Sequence, residues 1–501
     1  MPGIRWIVLT ILCLATSAPC WAQESHPTNP KAQYKGKTVS QWVKQLSNPD
    51  AALRCYAIYA LGRFGSQAKQ AIPTLTEALI DKDENVRSLA VFTLKKISPK
   101  FQYDVLKELP IFISALKDED KPVRSYAMAA LYQISLRDKY SPVKAIPKLI
   151  VTLKDDDGHI RYLAAKILGA LGPKARKAIP ALTELMQDKE LLVRRAATKA
   201  LATMGPKAAS VISKLTKALN DKDATVSFTA HKALIKIGPK AVPALIVATK
   251  SRLAKVRISA LSALASIRPR QAAAVPHIIR LLDDEDYGVR RMAIQSVGVI
   301  GPLAAKAIPK LIQFLKDENI GIRCTAVNAL GWVGPKASIA LPALFELIGR
   351  NEFCQTNAIV TIGHIGPTAH KAIPKLIEFL NHEKQGVRWS ATCALGDMGP
   401  LAYKAVPRII ALINEKRIRA RAVHALGEIG PKASLAAPAV IKVISDKNYR
   451  VRKYAAHTLG DLGVKTEAAR RALIVLMKDD DRFVGEAAAN SLRKLGYKLN
   501  K

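Results

Sequence analysis

Cysteine and aromatic residues are scarce in this chain of 501 residues, which has 6 Cys, 5 Trp, 10 Phe and 13 Tyr. So few cysteines exclude the disulfide-dense class of small secreted domains. Glycine and proline, with 27 and 28 residues, are close to average, which excludes collagen-like and low-complexity chains. Acidic residues are also few, because 40 Asp and Glu stand against 78 Lys and Arg and leave a formal charge of +38. With 49% hydrophobic residues the chain can still bury a large core, so general disorder is excluded.

Long hydrophobic runs are lacking except at the N-terminus. Arg5 precedes an apolar run at residues 7–15, and Cys20 and Ala22 place small residues before a cleavage point. This is the pattern of a Sec-type signal peptide, and the run is shorter than the ~20 residues that a membrane-spanning helix needs. We predict that residues 1–22 are removed and that the mature chain is exported, periplasmic or secreted, without a transmembrane segment. A retained membrane anchor is the alternative.

Four cysteines remain in the mature chain, Cys55, Cys324, Cys354 and Cys393. Their scattered positions do not form a disulfide framework, and we predict that they are small buried side chains. A bridge between Cys324 and Cys354, in neighbouring repeats, is the alternative.

After a polar linker at 23–37, one sequence unit recurs every 30 to 37 residues over 38–501. Each unit has a proline that starts one helical segment, an arginine that starts a second, and usually a Gly-Pro pair after it; Pro309, Arg323 and Gly334 mark the clearest copy. Apolar residues follow the arginine at helical spacing. Because proline is tolerated in the first turn of a helix and glycine at its end, the pattern predicts about 14 helical hairpins in an all-α, α-α superhelix. Shorter or rearranged units predict joints near 250, 350 and 415.

An aspartate and an arginine recur six residues apart across the turn between the two helices. The pairs are Asp81/Arg87, Asp118/Arg124, Asp155/Arg161, Asp188/Arg194, Asp284/Arg290, Asp317/Arg323 and Asp446/Arg452. The aspartate can cap the second helix, and the arginine can tie adjacent turns together. The unit resembles the HEAT repeat, specifically the HEAT-like repeats of the phycobilisome (PBS) lyase type. The resemblance implies a ladder in which each aspartate meets arginines of its own and the next unit, on a fold that hosts scaffolds, transport receptors and a few enzymes.

Charge is segregated within the unit. The turn between the two helices is acidic, as at Asp155–Asp157, and the loop between units is basic, as at Lys174–Lys177. Stacked units therefore predict an acidic rim and a basic rim. Favourable helix-end charges and solubility explain such a surface; a basic excess this large also favours an anionic partner, such as an anionic polymer.

The exposed wall of the second helices lies one, five and nine places after each arginine, positions that share a helix face. In the N-terminal half these positions predict an anion-binding surface, formed by Lys166, Arg195, Lys199, Lys232 and Lys236. From the ninth unit on they predict a protein-docking surface, formed by Asn328, Trp332, His364 and Trp389. Partner docking on such a wall is the expected use of a solenoid.

The same wall contains two His-acid pairs, His424/Glu428 and His457/Asp461. Imidazole and carboxylate groups on one face could hold zinc or iron, so a metal-dependent enzyme, a HEAT-like hydroxylase or lyase relative, is the alternative function. In this repeat class, however, the ninth place is a polar exposed position, occupied here by Arg63, Trp332 and Glu428, and the chain has no phosphate-binding glycine loop or nucleophile elbow. We predict no cofactor, no metal and no catalytic residue. The predicted function is an exported, non-enzymatic scaffold or adaptor that binds a protein or an anionic partner.

Overall fold

The computed structural model describes residues 33–98, 108–135, 143–270, 272–350 and 352–498. The predicted signal peptide and most of the linker lie outside these residues. Within them the only regular secondary structure is helical, apart from an isolated bridge between Tyr34 and Lys37. The all-α prediction is confirmed. The chain divides into two compact units, Met1–Ala244 and Leu245–Lys501.

The helices of the N-terminal unit alternate between a short first helix and a longer second helix. They are α1 Val39–Lys44, α2 Ala51–Arg63, α3 Ile72–Glu77, α4 Glu84–Ile97, α5 Leu109–Ala115, α6 Lys121–Ser135, α7 Ile146–Thr152, α8 Gly158–Leu171, α9 Ile179–Glu184, α10 Leu191–Met204, α11 Ile212–Ala218 and α12 Ala224–Ile237. Helix α13, Val242–Ala248, crosses the division between the units.

The C-terminal unit continues the same alternation. Its helices are α14 Ala254–Ser266, α15 Val275–Arg280, α16 Tyr287–Ile300, α17 Ile308–Phe314, α18 Ile320–Val333, α19 Leu341–Arg350, α20 Glu352–Ile365, α21 Ile373–Phe379, α22 Gln385–Asp397, α23 Val406–Leu412, α24 Arg419–Ile429, α25 Ala437–Ile441, α26 Tyr449–Asp461, α27 Glu467–Leu476 and α28 Arg482–Lys494. The described residues thus hold 28 helices, two for each of the 14 predicted repeats.

Helix ends follow the punctuation of the sequence. Proline occupies the first turn of the first helices, as Pro73 does in α3. Gly172 ends α8 with φ of +53°, a conformation that glycine adopts without a Cβ penalty. The loop expected after it is a 3₁₀ helix, Gly172–Ala178, because its residues continue to turn with tighter hydrogen bonds.

The sequence predicted that the ladder aspartate caps the second helix, but in the structure it does not. Asp81 accepts a hydrogen bond from the Asp83 amide at 2.9 Å, and Asp83 accepts from the amides of Asn85 and Val86 at the start of α4. The cap therefore lies two residues after the ladder aspartate, since that residue has the extended backbone that a cap requires. Other caps of this kind are Asp157, Asp223, Asp286, Asn319, Asn448 and Asp481.

The ladder arginine joins two neighbouring sequence repeats, because the two sides of its guanidinium group make different contacts. Arg161 donates from Nη1 to the backbone carbonyls of Asp155 and Asp156 in its own turn, at 2.8 and 3.0 Å. Its Nε and Nη2 donate to the carboxylate of Asp188 in the next unit, at 2.8 and 2.9 Å. The own-unit half of the ladder thus uses a backbone carbonyl where the family resemblance implied a carboxylate. Charge-assisted pairs of this bidentate kind are the strong ones.

The same contact, from the ladder arginine of one repeat to an acidic side chain of the following repeat, recurs in both compact units. The pairs within 4.0 Å are Arg54–Asp81, Arg87–Asp118, Arg124–Asp155, Arg194–Asp221, Arg257–Asp284, Arg388–Glu415, Arg419–Asp446 and Arg452–Asp479. Glu415 replaces the aspartate at one predicted joint. Arg290 and Arg323 make the own-turn contact, to the carbonyls of Asp284 and Asp317 at 2.8 and 2.6 Å.

Consecutive second helices pack closely because each has a glycine or another small residue at the contact. A methyl group on Gly169 of α8 would lie 3.1 Å from the Cα of Ala200 in α10. Leu168 and Leu201 are fully buried beside this contact. Close packing of this kind builds the core within each compact unit and leaves the outer faces of the second helices free.

Among the residues that the structure describes, one helical run, Tyr287–Phe314, is long and apolar enough to cross a membrane by length and composition, with a mean hydropathy of 1.3 over its most apolar 18 residues. This differs from the expectation that no such segment follows the N-terminus. In the structure the run consists of α16 and α17 joined by a 3₁₀ turn after Gly301, and 56% of its most apolar stretch is buried in the protein. Its apolar character therefore serves the packing of the repeat.

Cys324 of α18 and Cys354 of α20 form a disulfide bond, with their Cα atoms 5.8 Å apart. The prediction of free buried thiols is wrong for this pair and correct for Cys55 and Cys393, which are buried and unbonded. A separation of 30 residues is close to one repeat, so the period itself places the two cysteines on adjacent packed helices.

Candidate functional site

The wall of the second helices in the C-terminal unit exposes large side chains. Trp332 of α18 is 49% exposed and Trp389 of α22 is 44% exposed. Asn328 and His364 are also exposed, on α18 and α20. Trp332 and Trp389 are the two tryptophans among the exposed large apolar side chains of the described residues.

Side chains at the ninth position lie over a glycine of the preceding second helix. A methyl group on Gly298 would lie 2.5 Å from the Trp332 ring, and one on Gly363 would lie 3.0 Å from the Asp397 carboxylate. Gly396 bears the same relation to Glu428, at 2.2 Å. Because glycine has no Cβ, the ninth-position side chain of the next second helix can lie against the glycine backbone. The wall is therefore a continuous row, in the order Trp332, His364, Asp397, Glu428 and Asp461.

Arg421 lies at the centre of this row, and the sequence analysis missed it. Its Nη2 lies 3.3 Å from Asp397 Oδ1 and 3.3 Å from Glu428 Oε2, and its Nη1 lies 3.0 Å from His424 Nδ1. It occupies the second place after Arg419, outside the one-five-nine set. The signal available in the sequence was an arginine three residues before a His-acid pair.

Burial raises the pKa of Asp397 although the charge of Arg421 opposes that shift. Burial also raises the pKa of the Cys393 thiol to about 11, so this thiol is protonated and unreactive near neutral pH. A shallow groove of about 550 Å³ runs beside these groups and is lined by His364, Asp397 and Glu428 together with glycines and prolines of the adjoining loops. The groove offers carboxylates, an imidazole and backbone to a partner.

The two His-acid pairs do not form a metal centre. His424 lies 3.2 Å from Glu428, but that carboxylate also faces Arg421. Asp461 is paired with Lys494 at 2.6 Å, and burial lowers the pKa of His457. In the part of the chain that the structure describes, no three His, Cys, Asp or Glu residues are grouped to hold an ion. The carboxylates of Glu428 and Asp461 are already paired with the cationic side chains of Arg421 and Lys494.

The wall of the N-terminal unit is basic. Lys199, Lys232 and Lys236 are exposed, and Lys166 is half-buried. Arg195, predicted to bind anions, instead donates to Asp223, with Nη2 to Oδ2 at 2.6 Å. Position one of this helix lies beside the acidic cap of the next helix, so Asp223 balances part of the charge of Arg195, and the anion-binding role of this arginine stays a prediction. The remaining four lysines are the anion-binding candidates.

The Arg195–Asp223 pair predicts that the folding stability of the protein depends on pH. The hydrogen bond from Arg195 lowers the pKa of Asp223 to about 2, against about 3.9 for an unfolded aspartate. A depressed pKa stabilises the fold fully above pH 4, and the stabilisation is lost as pH falls from 4 toward 2. We expect Asp223→Asn to be less stable than the wild type at pH 7 and the difference to shrink by pH 2.5, measured by denaturant unfolding. An equal difference at both pH values would contradict this account.

The described arrangement has relatives in sequence and structure. The model of HEAT repeats matches residues 39–110, 109–202, 189–265, 242–307, 275–359 and 406–493. No curated protein sequence shows significant similarity to the chain. Among solved structures, the chain is similar to Kap121p bound to Ste12p, with TM-score 0.56 and 15% identity over 91% of this chain and 60% of that one. It is also similar to the Kap95:Nup1 complex, with TM-score 0.51 and 14% identity over 91% and 73%. At this identity the likeness shows the fold alone. The repeat matches cover most of the sequence, and the chain belongs to the family of HEAT-repeat proteins.

Proposed function

We propose that this protein is an exported, non-enzymatic adaptor with HEAT-like repeats of the PBS lyase type. A protein partner docks on the wall of its C-terminal unit, and an anionic partner binds to the basic wall and basic rim. The observation that carries the proposal is the exposure of Trp332 and Trp389 on the second helices, at 49% and 44%. Tryptophan is enriched among the interface residues that contribute most of the binding energy, and it contributes this energy where the partner covers it.

The surroundings of the tryptophans fit a protein partner. His364, Asp397 and Glu428 line a groove on the same wall and supply polar groups of the kind found at the rim of protein interfaces. Solved HEAT-type neighbours of similar fold were determined with bound proteins, Nup1 on Kap95 and Ste12p on Kap121p. These neighbours support protein docking as a use of the fold; their partners are their own.

The disulfide supports the proposed export. Disulfides form and persist in oxidising compartments such as the periplasm and the extracellular space, and are rare in the cytosol. The bond between Cys324 and Cys354 agrees with the signal-peptide pattern at residues 1–22. The alternative, a metal-dependent enzyme, has no observation in its favour, since its carboxylates are paired with Arg421 and Lys494.

Replacing Trp389 with alanine tests the docking proposal. We expect the affinity for the protein partner to fall about 30-fold, because a central tryptophan contributes about 2 kcal/mol or more to an interface. The partner is first isolated by cross-linking to the wild-type protein, and its affinity is then measured by titration. The Tm should change by less than about 2 °C, since the side chain is half-exposed.

Tyr449→Ala is the matched control. Tyr449 is 42% exposed, similar to Trp389, but lies at the start of α26, outside the wall positions. The control variant should bind as the wild type does. Unchanged binding by Trp389→Ala would refute the docking wall, and a large fall in its Tm would make Trp389 a packing residue.

A further inference from the structure

The basic wall of the N-terminal unit has an order that net charge alone does not require. Lys166, Lys199 and Lys232 occupy the fifth position on three consecutive second helices, α8, α10 and α12. Helix α10 packs against both α8 and α12. Packed helices lie about 9 Å apart, so the three lysines form a single row with one lysine on each helix, at backbone spacings of about 9 Å. None of the one, five and nine positions of these helices is acidic.

Aromatic rings hold two of the lysines in place. The Nζ of Lys166 lies 4.2 Å from the ring centre of Tyr132 and 5.1 Å from that of Tyr162. The Nζ of Lys232 lies 4.4 Å from the ring centre of Phe228. A lysine fixed by a cation–π contact loses less rotational freedom when an anion binds, and its ammonium group still has donors to offer. The row is therefore partly preorganised.

The same rings disfavour nucleic acid as the occupant. Single-stranded nucleic acid binds by stacking its bases on open aromatic faces, and lysine ammonium groups cover faces of Tyr132, Tyr162 and Phe228. Duplex DNA carries a charge about every 1.7 Å along its axis, far more densely than this row.

A protein occupant is disfavoured by the lack of apolar anchors. Among the wall positions of α8, α10 and α12, the only large exposed apolar side chain is Phe228, and Lys232 lies against its ring. Protein interfaces depend on a few large side chains that become buried at the centre. The tryptophans that meet this requirement are those of the C-terminal unit.

We infer that the row of Lys166, Lys199 and Lys232 binds a linear acidic polysaccharide, whose carboxylate or sulfate groups recur at about the spacing of the helices. The lysines pair with the acidic groups in register, one lysine to each helix. The inference rests on the proposed anionic surface and names its occupant.

The test compares two double variants of the intact protein that carry the same net charge. Lys199→Gln with Lys232→Gln removes two members of the row. Lys189→Gln with Lys222→Gln removes two exposed lysines from the turns of the same unit. The probe is a set of hyaluronan oligosaccharides, which carry a carboxylate on every second sugar, titrated by calorimetry over a salt series. Neutral dextran, single-stranded DNA and polyglutamate are titrated beside it.

We expect the wild type to bind hyaluronan in a salt-dependent way and the row variant to bind roughly tenfold more weakly, with a smaller dependence of log affinity on log salt. The turn variant should change by less than about twofold. Tighter binding of DNA or polyglutamate through the same lysines would overturn the polysaccharide assignment and leave the anionic surface standing. Equal losses in the two variants would overturn the row as the site. No binding of any polyanion would overturn both the inference and the proposed anionic surface.

Discussion

Replacing Arg161 with alanine is expected to lower the free energy of unfolding by about 3–5 kcal/mol. The Arg161 and Asp188 side chains are only 8% and 7% exposed, so the variant leaves a buried carboxylate without its partner. It also removes the donor to the carbonyls of Asp155 and Asp156, which hold the turn before α8. Denaturant unfolding followed by circular dichroism measures the loss. Hydrogen exchange of α8 and α10 locates it, since repeat proteins open locally.

Arg471→Ala is the matched control for this experiment. Arg471 pairs with Glu467 at 3.0 Å, but the two side chains are 77% and 55% exposed. An exposed pair within one helix contributes only about 0.3–0.5 kcal/mol. A loss of similar size in both variants would show that the ladder is no stronger than ordinary surface ion pairs.

Removal of the disulfide has the second largest expected effect. The double variant Cys324→Ser/Cys354→Ser should lose about 3.5 kcal/mol, because the bond closes a loop spanning 30 residues of sequence. The loss should be concentrated in α18 to α20, because the bond joins α18 to α20. Hydrogen exchange of oxidised and reduced protein measures the opening of these helices.

Reductant supplies the control. Dithiothreitol should destabilise the wild type by the same amount as the double variant loses and should leave the double variant unchanged. Cys55 and Cys393 are unbonded, so they cannot produce a difference between oxidised and reduced protein. Sensitivity of the double variant to reductant would contradict this assignment.

Much of the fold followed from local patterns. Pro73 in the first turn of α3 and Gly172 at the end of α8 lie where the repeat predicts them, because helix ends depend on backbone conformation within a few residues. The exposure of Trp332 and Trp389 followed from helical spacing in the same way. The predicted joints near 250, 350 and 415 stay predictions, although Glu415 completes a ladder contact at the last of them.

The parts that sequence reasoning missed depend on distances between neighbouring units. Arg195 pairs with Asp223 and Arg421 with Asp397, and only the packing of one second helix on the next brings these groups together. The shift of the cap from Asp81 to Asp83 depends on the turn geometry that Arg54 and Arg87 impose from two units.

The sequence by itself determined that this chain forms helical hairpins, where most of the prolines and glycines that bound the helices lie, and which side chains face outward. Those properties follow from a short-range period and from residues that restrict their own backbone. The tertiary structure alone decided which outward charges are free and which are paired, and that Cys324 meets Cys354. The reason is physical: an ion pair or a disulfide requires two groups within a few ångströms, and residues 24 to 30 positions apart reach that distance only when the repeats stack.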